Sequence, residues 1–214
     1  MPPFIVNRKY TIKVSARQGG IAMLFWGAMD RPAFLLDFSD WAVLRLTGPD
    51  AVEFLQGVGT QDVITLDPRT AKPTLFLNEK GRPIALGWAV KDGNVAGATL
   101  LVEPGGAAAL PPHFDRLRVM EDVSFAGPDG MPRLYGVAGP ERSRAAREWA
   151  AERPGAAAFD AEVVSFLLLP AEASLPASLE TPEAAEAWRI AAGLPRAGVD
   201  FDSDRIATEL SLPD

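Results

Sequence analysis

The chain has 214 residues, 48% of them apolar, a formal net charge of −7 and no cysteine. That apolar share supports a packed core and excludes disorder, while the acidic balance argues against nucleic acid as a partner. Without cysteine there is no disulfide, thiolate zinc site, iron–sulfur ligation or cysteine nucleophile; no apolar run has membrane-spanning length, and the cytoplasm is the expected location.

Residues 1–29 carry Arg8, Lys9, Lys13 and Arg17 with no acid, then an apolar run from Ile21 to Met29. A signal peptide is one reading, but no small-residue cleavage site follows cleanly, and the plainer reading is an extension upstream of the true start, with Met23 or Met29 as initiator. Ala33 to Asp37 and Trp41 to Leu46 read as strands around a polar turn at 38–40. Gly48-Pro49 stops the second. Proline has no N–H to lose, so Pro49 is expected at the first helical position. Ala51, Phe54, Leu55 and Val58 then share one helical face, and Gly57 and Gly59 are expected to end the helix at positive φ. Pro73 to Asn78 is a strand, Asn78 to Arg82 a turn with Gly81 at positive φ, and Pro83 to Val90 the returning strand. Lys91 to Asn94 is a hairpin signal, and Val95 to Val102 completes a meander. Gly105 to Arg118 reads as helix broken at Pro111-Pro112.

Val119 to Phe125 is the next expected strand, closed by a turn at 127–130. Leu134 to Val137, Gly139-Pro140 and a helix from Glu141 to Glu152 then repeat the strand, Gly-Pro, helix scheme. The recurrence predicts an α+β architecture of two related sheet-and-helix units, 30–126 and 127–214. Val163 to Leu169 is an apolar strand. Thr181 is placed to cap a last helix, with Pro182 at its first position, Glu183 in its first turn and Gly193 just past Ala192.

Two blocks carry a family resemblance. Gly48, Asp50, Ala51, Phe54, Leu55, Gln56, Gly57, Thr60, Asp62 and Val63 resemble the G-x-D-A-x-x-F-L-Q-G-x-x-T-x-D-V segment of the YgfZ/GcvT folate-binding family. That family holds the glycine-cleavage T-protein, an aminomethyltransferase, and the YgfZ-type proteins linked to iron–sulfur cluster assembly. Arg189, Ile190, Gly193, Pro195, Gly198 and Asp200, with Glu209 and Leu210, resemble a second family segment, R-I-x-x-G-x-P-x-x-G-x-D followed by E-L. The resemblance implies the GcvT-type folate-binding fold. On that reading the chain stops before the K-G-C-[FY]-x-G-Q-E motif and lacks the C-terminal β-barrel domain.

The resemblance also implies tetrahydrofolate or a related reduced folate as cofactor, bound and not turned over, with Asn78, Arg82, Trp88 and Arg189 as its contacts. An arginine fork matches the carboxylates of a folate tail, and a flat indole suits a flat pterin. Each residue has a plainer reading: an exposed hairpin for Asn78 and Arg82, core for Trp88, a solvated helix face for Arg189. T-proteins carry a catalytic Asp on the strand after the Asn78–Arg82 loop, and here Leu86 sits at or beside that place. The implied role is therefore a non-catalytic, YgfZ-type one in iron–sulfur cluster assembly or repair, with iron–sulfur client proteins as partners. The alternatives are an aminomethyltransferase of the T-protein class and a degenerate interaction domain without ligand.

Other candidates are weaker. His113, the only histidine, has no cysteine to share a zinc site with and is expected at the surface. Asp200, Asp202 and Asp204 lack the glycine and terminal Glu of a calcium loop in register and read as a solvated loop. Gly57-Val58-Gly59 lacks the later glycine of a dinucleotide fingerprint, and no Walker A motif is present.

Overall fold

The computed structural model describes residues 6–7, 10–11, 31–93, 97–126, 133–202, 204, 207 and 210. β1 (Val6–Asn7) and β2 (Tyr10–Thr11) form a short antiparallel ladder. The rest of the expected extension, the turn at 127–130 and Glu209 lie outside the described residues.

Two antiparallel sheets carry the fold. The first has the order β5 (Ala71–Leu77), β6 (Pro83–Lys91), β7 (Gly97–Val102), β4 (Ala42–Thr47), β8 (Ser124–Ala126). The second has the order β10 (Ala157–Asp160), β11 (Ser165–Leu169), β9 (Arg133–Ala138), β3 (Phe34–Asp37). The helices are α1 (Ala51–Val58), α2 (Pro104–Ala107), α3 (Leu110–Leu117), α4 (Arg142–Ala151) and α5 (Pro182–Ala192).

Side chains alternate across each strand, which sorts the apolar residues into three cores. Val43, Leu86, Trp88, Val90 and Leu101 of the first sheet meet Phe34, Leu36, Leu134, Phe166 and Leu168 of the second in a core between the sheets. Leu44, Leu46, Ala85, Ala89 and Leu100 face outward against Phe54 and Leu55 of α1 and Phe114 of α3. Leu35, Tyr135, Val137 and Leu167 face outward against Ala145 and Ala146 of α4. The layers therefore run helices, sheet, sheet, helix. Strands covered on both faces lose their polar alternation, which is why Gly97 to Val102 reads as one apolar run.

The recurrence seen in the sequence is a recurrence of hydrogen bonds. Gly48 (φ 123°) and Gly139 (φ 104°) both adopt backbone that a side chain disfavours. At the first corner the Asp50 N–H donates to the Asp122 carbonyl (3.4 Å) and Ala51 N–H to Gly48 (3.2 Å). At the second, Glu141 N–H donates to the Pro32 carbonyl (2.7 Å) and Arg142 N–H to Gly139 (3.2 Å). The segment braced at each corner leads into the strand beside it. Residue 122 leads into β8, which pairs with β4, and residue 32 leads into β3, which pairs with β9. The orders β6-β7-β4-β8 and β10-β11-β9-β3 therefore correspond, with the strand that precedes each corner strand in the chain, β3 before β4 and β8 before β9, placed in the other corner strand's sheet.

Local expectations needed correction at several points. α1 starts at Ala51 and not at Pro49, because the Gly48 turn and the Asp122 bond hold Pro49-Asp50 outside the helix. Gly57 is helical, and Gly59 is extended at φ −100° and not at positive φ. Gly59 is needed for room: a Cβ there would lie 2.7 Å from Thr74 Oγ1. The break in 105–118 falls at Ala108-Ala109, and Pro111-Pro112 sit in the first turn of α3, where a missing N–H costs no bond. Residues 119–123 are not strand. Glu121 Oε2 takes the N–H groups of Val119 (2.8 Å) and Met120 (3.0 Å) in a tight turn that leaves Met120 92% exposed. β10 was not expected, since its four half-buried residues show no alternation.

Candidate functional site

Asn78 closes the turn between β5 and β6. Its Oδ1 accepts from the N–H groups of Lys80 (2.9 Å) and Arg82 (3.1 Å), and its own N–H donates to the Arg82 carbonyl (2.9 Å). An asparagine that bonds to backbone ahead of it is a local turn device. Arg82 leaves the turn toward solvent and pairs with Asp204 at 2.9 Å. Trp88 lies deeper on the same sheet, 3% exposed, with ring centroids 5.1 Å from Trp41 and 5.5 Å from Phe166. Phe38 stacks on Trp41 at 4.6 Å. These rings fill the space between the sheets.

Arg189 is buried, 8% exposed, on α5. Its Nε and Nη2 donate to the two oxygens of Glu186 at 2.8 Å each, and its Nη1 donates to Asp200 Oδ2 at 2.6 Å and to the Leu194 carbonyl. Thr181 caps the helix, accepting from Ala184 N–H, and Gly193 ends it in the left-handed conformation at φ 70°. Asp200 Oδ2 also accepts from Arg196 N–H at 2.8 Å. The second resemblance block thus folds on itself as a strap, with Arg189 and Asp200 paired across it. Trp188, Leu194 and Phe201 of the strap enter the core between the sheets.

The strap docks on an acid that the sequence reading passed over. Glu103 is 2% exposed, and its Oε2 accepts from the Ala197 N–H at 2.7 Å. Its own N–H donates to the Leu86 carbonyl at 3.1 Å. Gly87 faces Val102 in the ladder, so Glu103 stands one step further on, beside Leu86. Burial raises its pKa to about 7, against the lowering effects of the Ala197 N–H, Arg196 and Arg189. The available signal was an ionisable residue directly after the apolar run of β7 and before Pro104, which starts α2.

The Asn78–Arg82 turn, at the start of β6, and Glu103, beside Leu86 midway along it, both lie toward one end of the first sheet; the strap touches both, through Ala197 to Glu103 and through Asp204 to Arg82. The Gly48 corner is at the other end, since Ala42 faces Val102 and Thr47 faces Gly97. The first resemblance block reaches the Asn78 end only through the C-terminus of α1. There Gly59 bridges to Phe76, Thr60 Oγ1 accepts from Leu75 N–H at 2.9 Å, and Gln56 Oε1 accepts from Val63 N–H at 2.6 Å. Its residues frame the edge of β5.

No protein-family model matches the chain, and no curated protein matches it. Among solved structures the chain is similar to the glycine cleavage system aminomethyltransferase T from Bartonella henselae, with a TM-score of 0.71 at 17% sequence identity. The fold resembles the matched part of this aminomethyltransferase T. The match covers 95% of this chain and 62% of that one, so the chain spans less than two thirds of its neighbour's length. The mixed architecture of two antiparallel sheets with flanking helices agrees with the GcvT-type fold expected from sequence.

Within this aminomethyltransferase T fold, Leu86 is fully buried and Glu103 is the carboxyl beside it. A buried acid that titrates near neutrality can hold or release a proton at working pH. His113 requires correction. It is 6% exposed and not at the surface, because the apolar face of α3 turns it inward beside Phe114. Its Nδ1 lies 3.1 Å from Arg116 Nη2, its Nε2 is buried without a partner among the described residues, and burial followed by Arg116 lowers its pKa. Among the described residues no group of His, Asp and Glu is arranged to hold a metal ion, and no helix is long and apolar enough to cross a membrane.

Proposed function

We propose that the chain binds a reduced folate of the tetrahydrofolate type at the end of the first sheet framed by Asn78, Arg82, Glu103 and Arg189. The observation that carries the reading is the strap, which docks on Glu103 through the Ala197 N–H and reaches the Asn78–Arg82 turn through the Arg82–Asp204 pair. These are segments far apart in sequence, of which the strap belongs to the second resemblance block. The aminomethyltransferase T fold supports it. A reduced pterin presents adjacent N–H groups to a carboxyl acceptor, and the half-buried Arg82, paired with Asp204 in the free chain, has the fork that suits the carboxylates of the tail. Arg189 is committed to Glu186 and Asp200, so its part is to hold the strap. Trp88 acts as a wall behind the site.

Folate bound in this way is not turned over. Leu86 is apolar and enclosed, and the role that follows from the resemblance is the YgfZ-type one, in which the folate-bound chain serves iron–sulfur client proteins. The test is a titration of the full chain with folinic acid followed by tryptophan fluorescence, since Trp88 and Trp188 lie beside the strap. Saturation is expected, with weaker binding in Arg82→Ala at unchanged circular dichroism. A folded chain whose fluorescence does not respond removes the reading.

Glu103 favours a second reading, an aminomethyltransferase in which the acid comes from the residue after β7 and not from β6. That reading predicts ammonia release from an aminomethyl donor in the presence of tetrahydrofolate, lost in Glu103→Gln. Folinic acid binding without such release leaves the binding role alone.

A further inference from the structure

Within the strap, Leu194 and Phe201 are buried in the core between the sheets, and the loop between them, Pro195 to Asp200, is exposed or half-buried. This loop is tied to itself and to α5. The Arg196 N–H donates to Asp200 Oδ2 at 2.8 Å, the Val199 and Asp200 N–H groups donate to the Arg196 carbonyl at 3.2 and 2.9 Å, and Arg196 Nη1 lies 3.4 Å from Glu186 Oε2. None of these bonds reaches the first sheet.

The loop meets the sheet where Ala197 covers Glu103. The Ala197 N–H donates to Glu103 Oε2 at 2.7 Å. Ala197 also rests on Gly105, where a Cβ would lie 2.9 Å from the Ala197 Cβ and 3.1 Å from its carbonyl oxygen. Among the described residues Glu103 makes no ion pair, and its side chain has no hydrogen bond besides this one. The cations that face it are committed elsewhere, Arg189 of α5 to Glu186 and Asp200, and Arg196 of the loop to Glu186. The remaining charged neighbour is Asp200, an acid, while Leu86 and Gly105 on the other side carry no charge. A carboxylate enclosed with a single N–H donor is poorly solvated, and water would serve it better. A neutral carboxyl loses far less by enclosure and still has an oxygen to accept the Ala197 N–H.

We infer that Ala197 and Glu103 form a proton-controlled latch, in which the 195–200 loop closes over the neutral acid and lifts from the ionised one, with Leu194 and Phe201 as its fixed ends. Burial raises the Glu103 pKa from 4.5 to about 7. A raised carboxyl pKa means that closure is most favoured below about pH 4.5 and weakens as the pH rises through 7. The latch concerns the loop and not a ligand, so it stands or falls apart from the folate reading.

Amide exchange of the full chain without ligand tests it, read residue by residue by NMR and expressed as protection factors, which remove the intrinsic effect of pH. Ala197 should exchange through an opening that leaves the amides of β6 protected. Its protection should fall at least tenfold between pH 5 and pH 8. In Glu103→Gln, which can accept the same N–H and cannot ionise, the fall should shrink below twofold. Gly105→Ala crowds Ala197 without touching the acid and should lower the protection at pH 5 toward the pH 8 value. A flat Ala197 profile in the native chain, an equal fall in Glu103→Gln, native protection in Gly105→Ala, or Ala197 exchange no faster than that of β6 would each overturn the inference.

Discussion

The two Gly-Pro corners share one backbone design and hold their helices by different means. Counting from Gly48 and Gly139, Phe54 of α1 corresponds to Ala145 of α4, and Leu55 to Ala146. In the first half the helix is anchored by bulk. Phe54 is buried, with its ring 5.7 Å from Phe114 and 5.5 Å from Phe125. In the second half the anchors are two alanines, and the larger side chains come from the sheet, Tyr135 and Leu167 among them. The exposed side of α4 carries an Arg–Glu ladder, Arg144 with Glu141 and Glu148 at 3.0 Å each. A corner therefore specifies where a helix starts and which way it leaves, and the packing against the sheet is free to differ. The ends of the corresponding strands differ in the same manner. Val102 matches Leu169 by register, so the place of Glu103 in one half is taken by Pro170 in the other.

The largest break in the comparison is Phe54→Ala, expected to cost about 3–5 kcal/mol in urea unfolding. The matching position in α4 is already alanine. A loss below about 1 kcal/mol would mean that bulk does not anchor α1.

The next effect belongs to Glu103, whose folded pKa is about 7 against an ordinary value of 4.5. A raised carboxyl pKa means that the fold prefers the protonated acid. Its contribution is fully present below about pH 4.5 and is lost as pH rises through 7. The loss amounts to on the order of 3 kcal/mol. Unfolding midpoints taken at pH 5 and pH 8 should separate in the native chain and close up in Glu103→Gln, and Pro170 gives the second half no such slope.

Third is the glycine pair. Alanine at Gly48 places a Cβ 2.2 Å from the Asp122 carbonyl oxygen, and at Gly139 2.8 Å from the Pro32 oxygen. Positive φ alone costs about 1–3 kcal/mol, so both variants should melt lower, Gly48→Ala by more. Equal melting temperatures would show that the neighbouring segments yield freely. The smallest effect is Arg144→Ala, where an exposed pair is traded for solvent and no measurable change in midpoint is expected.

Much of the local architecture was legible in the residues. Gly48-Pro49 and Gly139-Pro140 marked both corners, Thr181 with Pro182 marked the start of α5, and Gly193 marked its end, because caps and tight turns are decided within a few residues. Weaker signals misled. Apolar Val119 and Met120 read as strand, yet Glu121 turns the chain there. Of the candidate site, the motif residues were visible but their uses were not. Asn78 gives its side chain to the turn, and Trp88 to the core. Arg189 gives its fork to Glu186 and Asp200, partners that spacing cannot reveal because they depend on how the strap closes.

The sequence by itself determined most of the elements and the repeated corner, since caps and tight turns rest on interactions local in the chain. Only the tertiary structure decided that β3 and β8 trade sheets and that Glu103 is enclosed beside Leu86 with its proton held near neutrality. Those facts turn on which distant surfaces exclude water from a group, and burial is a property of the assembled layers that no single segment encodes.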